Sequence, residues 1–240
     1  MYAAHSLFMT NGVESKITIR QAGTDDIESI SGILASSFGA LFRAEYGLHQ
    51  AEVASLLTSL YQHDALPIDK VWVAEFNGSV AGILILSLPQ PPGSVSEKKR
   101  PCPQWPIIRK QLGFRRALRA AIGTSLMRYY FAGRTPVSGE AYVDVLAVDE
   151  SARRNGIGMQ LINHSCQLAQ NAGCREISLH VLSVRDGARK LYDRCGFTPK
   201  PERRVMARIL DAVASLVERL TPRNRCSQRS ILMVRALSNK

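Results

Sequence analysis

An α/β (α+β) fold is predicted for this chain of 240 residues by three stretches. Ala141 to Phe197 reads as strand, short glycine-containing turn, helix, strand and helix in succession. Further upstream, two apolar strands flank Asn77-Gly78, and Lys16–Gln21 alternates polar with apolar residues just before a helical stretch. Composition agrees, because 45% hydrophobic and 21% charged residues is the balance of a chain that fills one core rather than one that stays disordered.

Residues 1–15 are small and polar and read as a flexible leader, which leaves 16–240 as a single domain. Lys16–Gln21 (KITIRQ) has the period of a half-buried strand. In GTDDIESISGILASSFG, Thr24 or Asp25 is placed to cap a helix whose apolar stripe is Ile27, Ile30, Ile33 and Leu34. A second helix over Gln50–Tyr61 sets Val53, Leu56, Leu57 and Leu60 on one face. Between these stripes lie Phe38, Phe42, Tyr46 and His49, of which the two phenylalanines are read as core in preference to pocket lining. Val71–Phe76 and Ser79–Leu88 form a hairpin, since the tight mirror-image turn needs positive φ at both central positions and Asn-Gly tolerates it.

Residues 89–139 read as an insertion. Its first part, 89–106, holds six prolines and is expected to be a loop, because proline lacks the N–H that helices and central strands use. Ile107–Phe131 follows as one or two basic helices, broken near Gly113 or Gly123, with Ile108, Leu112, Leu118, Ile122, Leu126 and Tyr129 on one stripe. A membrane-surface helix has this pattern too, but a short stripe in a globular chain more often meets the core, so a helical flap is the preferred reading. Beyond Phe197, Val205–Leu220 is patterned as a helix and Ser230–Leu237 as the last strand.

Several classes are disfavoured. The longest apolar run, Val80 to Leu86, is too short to span a bilayer, and MYAAHSLFM lacks the layout of a signal peptide, so a cytoplasmic protein is expected. The five cysteines, Cys102, Cys166, Cys174, Cys195 and Cys226, are odd in number and without C-x-x-C spacing; neither a disulfide framework nor a zinc site is indicated, and no metal is expected. The net charge of +11 is uneven: Lys98 to Arg134 holds ten basic residues and no acid, and Arg203 to Arg229 holds seven against Asp211 and Glu218. Such an excess suits nucleic acid, an anionic membrane, a polyanionic small ligand or a merely solvated face, with the last two preferred.

The chemistry starts at residues 153–158, Arg-Arg-Asn-Gly-Ile-Gly, between a strand and a helix. The first N–H groups of a helix have no internal partner and carry the positive end of its dipole, so this position favours phosphate. Gly156 and Gly158 allow close approach of a ligand, and Arg153 and Arg154 add charge. An ordinary strand-to-helix loop could hold the same two glycines.

The segment resembles the GNAT superfamily of acyl-CoA-dependent N-acetyltransferases. Val148, Arg153, Gly156 and Gly158 fill the superfamily's pyrophosphate signature, an apolar strand ending in Val followed by Gln/Arg-x-x-Gly-x-Gly/Ala. Ala188, Leu191, Tyr192, Gly196 and Phe197 match its second signature, Asn-x-x-Ala-x-x-Leu-Tyr-x-x-x-Gly-Phe, in which Arg185 replaces the opening Asn.

The resemblance implies a mixed, largely antiparallel sheet of about six or seven strands, splayed between the fourth and fifth, and acetyl-CoA as cosubstrate. It implies that Arg153, Arg154, Asn155, Gly156, Ile157, Gly158 and Met159 hold the pyrophosphate. The pantetheine arm would lie on the backbone of Val145, Leu146, Ala147 and Val148, with an N–H near Leu146 polarising the thioester, and Arg185 and Ala188 would lie near the cofactor. Tyr192 would be the acid for the departing thiolate, and Asp144 the base or water relay, with Glu140 and Glu75 as substitutes. The acceptor would be a primary amine of a small molecule or protein. A catalytically silent acyl-CoA binder, or one associated with nucleic acid through its basic segments, is the alternative, and homodimers are common in the superfamily.

Overall fold

The computed structural model describes residues 17–89, 104–114, 116–117, 139–182, 185–201 and 230–237. Seven strands form one sheet: β1 (Ile17–Gln21), β2 (Val71–Phe76), β3 (Ser79–Ser87), β4 (Glu140–Val148), β5 (Glu176–Leu182), β6 (Thr198–Pro199) and β7 (Ser230–Ala236). Their order is β1-β2-β3-β4-β5-β7-β6, and every neighbouring pair is antiparallel except β4 with β5. The last strand therefore slots between β5 and β6.

The helices are α1 (Ile27–Tyr46), α2 (Gln50–Gln62), α3 (104–114, with 116–117 also helical), α4 (Ile157–Asn171) and α5 (Asp186–Arg194). α4 and α5 cover one face of the sheet, burying Ile157, Leu161, Ile162 and Tyr192 against Leu84, Leu86, Val143, Ile177 and Leu179. α1 covers the other, where Ile27, Ile30, Ile33 and Leu34 meet Val71, Val73, Ile83 and Ala147. All four residues of the predicted α1 stripe are at most 7% exposed. Asn77 (φ 52°) and Gly78 (φ 78°) make the hairpin turn as the sequence requires.

Three local expectations need correction. Neither Thr24 nor Asp25 caps α1; a short 3-10 turn over Thr24–Asp26 precedes it, and Asp26 accepts the Gly23 N–H at 2.8 Å. The reason is Arg20, which donates to both oxygens of Asp26 (2.6 and 2.8 Å) and so fixes where that carboxylate sits. The proline-rich loop ends sooner than expected: Gln104, Trp105 and Pro106 are already helical. Pro106 stands in the first turn, where an N–H would have no helical partner anyway. Further along, α4 begins at Ile157, two residues before the expected start, so that Gly158 lies inside the helix.

Ile108 and Leu112 of α3 pack on Ala35, Leu48 and Val53 of the α1–α2 layer, which agrees with the helical-flap reading. Gly113 takes φ +74°, at one of the two places where an interruption was expected. The predicted stripe beyond residue 117, the leader, Cys102, Cys226 and the helix expected over Val205–Leu220 lie outside the described residues. Cys166, Cys174 and Cys195 are buried and free. Among the described residues no helix is long and apolar enough to cross a membrane.

Candidate functional site

The sheet opens at β4. Its ladder with β5 runs only from Glu140↔Glu176 to Val143↔Leu179, although β5 continues to Leu182 on the β7 side. On the β3 side, Leu86 pairs with Val143 but Ile85 pairs with Val145, so Asp144 is an extra residue, a β-bulge. The bulge bends β4 away from β5, and the backbone groups of 144–148 that point away from β3 have no strand partner among the described residues. Peptide groups left open in this way are free to hydrogen-bond an extended polar ligand. Of the expected lining, Val145 and Ala147 pack toward α1, and Leu146 and Val148 toward α4.

At the end of β4 the chain turns into α4. Asp149 accepts the Ser151 N–H at 3.0 Å and stabilises a short 3-10 turn over Glu150–Ala152. Arg154 (φ +68°) and Gly156 (φ +79°) are both left-handed, and Asn155 donates to Ala152 O at 3.1 Å, which holds the loop between them. The first helical bond is Gln160 N–H to Gly156 O, 3.1 Å, which leaves the N–H groups of Ile157, Gly158 and Met159 without a helical acceptor. Ile157 is buried beneath this start and Met159 is 40% exposed above it. A side chain on Gly158 would stand 3.0 Å from Leu191 Cδ2, so this glycine sets the approach of α4 to α5. Arg154 is exposed and forms no ion pair among the described residues. Arg153 turns back, donating to Val148 O at 3.3 Å and approaching Glu150 at 3.6 Å.

α5 brings Tyr192 into the core on the α4 face, its ring centroid 6.0 Å from that of Phe197. Burial pushes its phenol up to about 12, against a smaller opposing pull from the Arg185 guanidinium. Ala188 is half-buried against the same core. Arg185, which stands where the signature has Asn, crosses the molecule: it donates to Ser37 O of α1 at 2.8 Å and lies 5.8 Å from the Phe38 ring centre.

The carboxylates separate clearly. Asp144 lies at the lip of the opening and accepts from Ser87 Oγ at 2.7 Å; crowding by protein raises its pKa, an effect that the Ser87 bond and Lys70 partly oppose. Among the described residues it forms no ion pair. Glu75 is engaged by Arg20 at 2.7 Å. Glu140 is 6% exposed and accepts from Ser178 Oγ at 2.5 Å, at the far end of the ladder from the opening. The expected pocket residues divide as well. Phe38 and Phe42 pack against core clusters, His49 is exposed ahead of α2, and the Tyr46 side chain lies outside the described residues. Ser36, Gly39, Ala40, Arg43 and Gln50 line a cleft of about 370 Å³ between α1 and α2.

Sequence reasoning passed over His180. It lies on β5 one residue beyond the last β4 pair, and its Nδ1 is 2.8 Å from Tyr142 Oη. One β5 position past the ladder, on the polar side of an otherwise apolar strand, is the signal that could have found it.

Residues 38–197, about two-thirds of the chain, match the model of the acetyltransferase (GNAT) family. The chain belongs to the GNAT acetyltransferase family. GCN5-related N-acetyltransferase 4, chloroplastic, of Arabidopsis thaliana is 48% identical to this GNAT protein over 60 residues, which span 25% of the chain and only 21% of that relative. Among solved structures, an acetyltransferase superposes with TM-score 0.52 at 20% identity, covering 92% of this chain and 100% of its own. A PaiA N-acetyltransferase from Thermoplasma acidophilum, solved in complex with coenzyme A, superposes with TM-score 0.51 at 12% identity, covering 92% of this chain and 99% of its own. At those identities the superpositions bear on the fold alone.

Proposed function

We propose that this GNAT protein, a single domain over 16–240 with a basic insertion at 89–139, transfers the acetyl group of acetyl-CoA to a primary amine by direct attack in a ternary complex. The observation that carries the reading is the end of the β4–β5 ladder at Val143/Leu179 in line with the left-handed start of α4 at Gly156. An open strand edge followed by a run of free helix N–H groups suits an amide-bearing arm that ends in a pyrophosphate.

In this reading the N–H groups of Ile157, Gly158 and Met159 receive the pyrophosphate, with Arg154 as the available cation and Asn155 holding the loop. The backbone of Val145 to Val148 pairs with the pantetheine amides, and an N–H near Leu146 polarises the thioester carbonyl. A backbone donor aimed at developing negative charge is worth roughly 10²–10³ in rate.

Tyr192 supplies the proton to the leaving sulfur. Its phenol, pushed up to about 12, stays protonated at neutral pH. A thiol of ordinary pKa about 8.5 is the stronger acid, so Tyr192 assists as a hydrogen-bond donor to charge developing on sulfur and completes its transfer only late. Asp144 attracts the incoming amine and takes its proton or helps relay it to a neighbouring group. Arg185 holds the head of α5 against α1, which keeps Tyr192 in register with the opening, and Ala188 packs beneath it. Neutral residues line much of the cleft on α1 and α2, and Arg43 there favours an acceptor that also carries an anionic group.

Thiol release from acetyl-CoA over a panel of amines, amino acids and peptides tests this. Turnover with at least one of them is expected; binding of acetyl-CoA without any turnover would leave a silent acyl-CoA binder instead.

A further inference from the structure

Glu140, Tyr142 and Asp144 of β4 and Ser178 and His180 of β5 share the side of the sheet that faces away from α4. Tyr142 is the ladder partner of Ser178, and parallel partners project the same way, while Ile177, Leu179 and Val181 go into the α4-side core. Ser87, the β3 partner of Tyr142, reaches Asp144 Oδ2 at 2.7 Å, which places the bulge residue on that side too. His180 is the residue that would have paired with Asp144 had the ladder continued by one step. The two therefore stand on opposite lips of the opening, where the ladder parts.

Acyl transfer to an amine forms a C–N bond and breaks the C–S bond, and the nitrogen must shed a proton. An efficient acceptor of that proton has a pKa near the working pH. An imidazole, ordinarily about 6.5, meets this condition better than a carboxylate. His180 is half-buried, and the bond between its Nδ1 and Tyr142 Oη fixes the ring. With Nδ1–H donating to the Tyr142 oxygen, Nε2 carries the lone pair.

We infer that His180, oriented by Tyr142 across the opening from Asp144, accepts the proton that the amine nitrogen releases during acyl transfer. This rests on the proposed function. The N–H bond of the attacking nitrogen breaks, a new N–H bond forms at Nε2, and the imidazolium later returns the proton to water. Asp144 then acts as the charge that draws in the amine and stabilises the imidazolium. Among the described residues, the other titratable groups that β4 and β5 place on this side are Glu140, Tyr142 and Glu176, the last paired with Lys200 at 3.0 Å; the β7 partner of His180 is the apolar Leu232, and Lys70 acts on Asp144.

The test uses the full chain with acetyl-CoA and, as acceptors, phenethylamine, spermidine, L-glutamate and a peptide with an N-terminal alanine. His180→Gln keeps a partner for Tyr142 but cannot take a proton. Its kcat/KM should fall at least roughly tenfold with loss of the acidic limb of the pH profile, while affinity for coenzyme A by calorimetry stays within about twofold. Tyr142→Phe should keep the limb but move it, and should change the imidazole ¹⁵N shifts that report the tautomer. A purely structural hydrogen bond would change the shifts too but would leave the limb where it was. If the wild type turns over one of these acceptors and His180→Gln keeps both rate and limb, or Tyr142→Phe leaves the limb in place, the inference fails and the enzymatic reading stands. If the wild type binds acetyl-CoA and turns over none of them, the enzymatic reading falls and the inference with it.

Discussion

A methyl group on residue 82 would stand 2.8 Å from Ile157 Cγ2 and 3.0 Å from Leu161 Cδ1: Gly82 of β3 is the spot on which the head of α4 rests. Both contacts are with buried, well-packed side chains, so neither can swing away at little cost. Gly82→Ala should destabilise the fold by about 1–3 kcal/mol, the usual cost of overpacking. It should also weaken coenzyme A binding, because it lifts the helix start that holds the pyrophosphate. Denaturant melts and calorimetry on one variant check both.

Gly156 offers a cleaner separation of binding from folding. Nothing lies within 4 Å of a side chain placed there, but its φ of +79° is strained for any L-residue, and most for a β-branched one. Gly156→Val should cost about 1–3 kcal/mol if the loop holds its shape, and less if it relaxes into another conformation. Either way the protein stays folded and its affinity for coenzyme A falls at least roughly tenfold, since the free N–H groups are no longer held ready. Unchanged affinity would put the pyrophosphate elsewhere.

Tyr192→Phe should lower turnover at least roughly tenfold and leave acetyl-CoA affinity nearly intact, which is the signature of an interaction made in the transition state alone. The ring is buried and the change removes one oxygen, so stability should hardly move. Normal turnover would take Tyr192 out of the chemistry.

Asp144 and Asp26 should titrate with opposite effects on stability. The Arg20 hydrogen bonds, with help from the Gly23 N–H, hold the Asp26 carboxyl below its ordinary value. Its contribution is thus fully present above the unfolded-state pKa and is lost as pH falls through the lower folded value. Asp144 is raised by desolvation, so its contribution is present in acid and lost as pH rises through the raised value. Asp26→Asn should therefore destabilise at about pH 7 by about 1–3 kcal/mol. Asp144→Asn should melt higher than wild type at that pH, with the difference vanishing in acid, while acetyl transfer falls. Melting curves at about pH 7 and about pH 4 decide both signs.

The parts legible in the sequence were those a single local rule dictates. Asn77-Gly78 had to be a tight turn, Ile27 to Leu34 could bury only one face, and the glycines after Val148 marked a helix start. Less was visible where two distant segments decide together. Gly82 looks like a gap in an apolar strand until α4 is laid on it. Asp26 closes the turn ahead of α1 on the Gly23 N–H, and the Arg20 that fixes its carboxylate lies six residues away on β1. Arg185 replaces a signature Asn and spends its side chain on Ser37, a residue 148 positions away. His180 reads as one more β5 residue until the ladder is seen to part beside it.

Calorimetric titration of the full chain with coenzyme A and acetyl-CoA tests the central claim most directly. Saturable binding at one site per chain, weakened at least roughly tenfold by Gly156→Val, is the result predicted. A folded wild-type protein that takes up neither compound would contradict it.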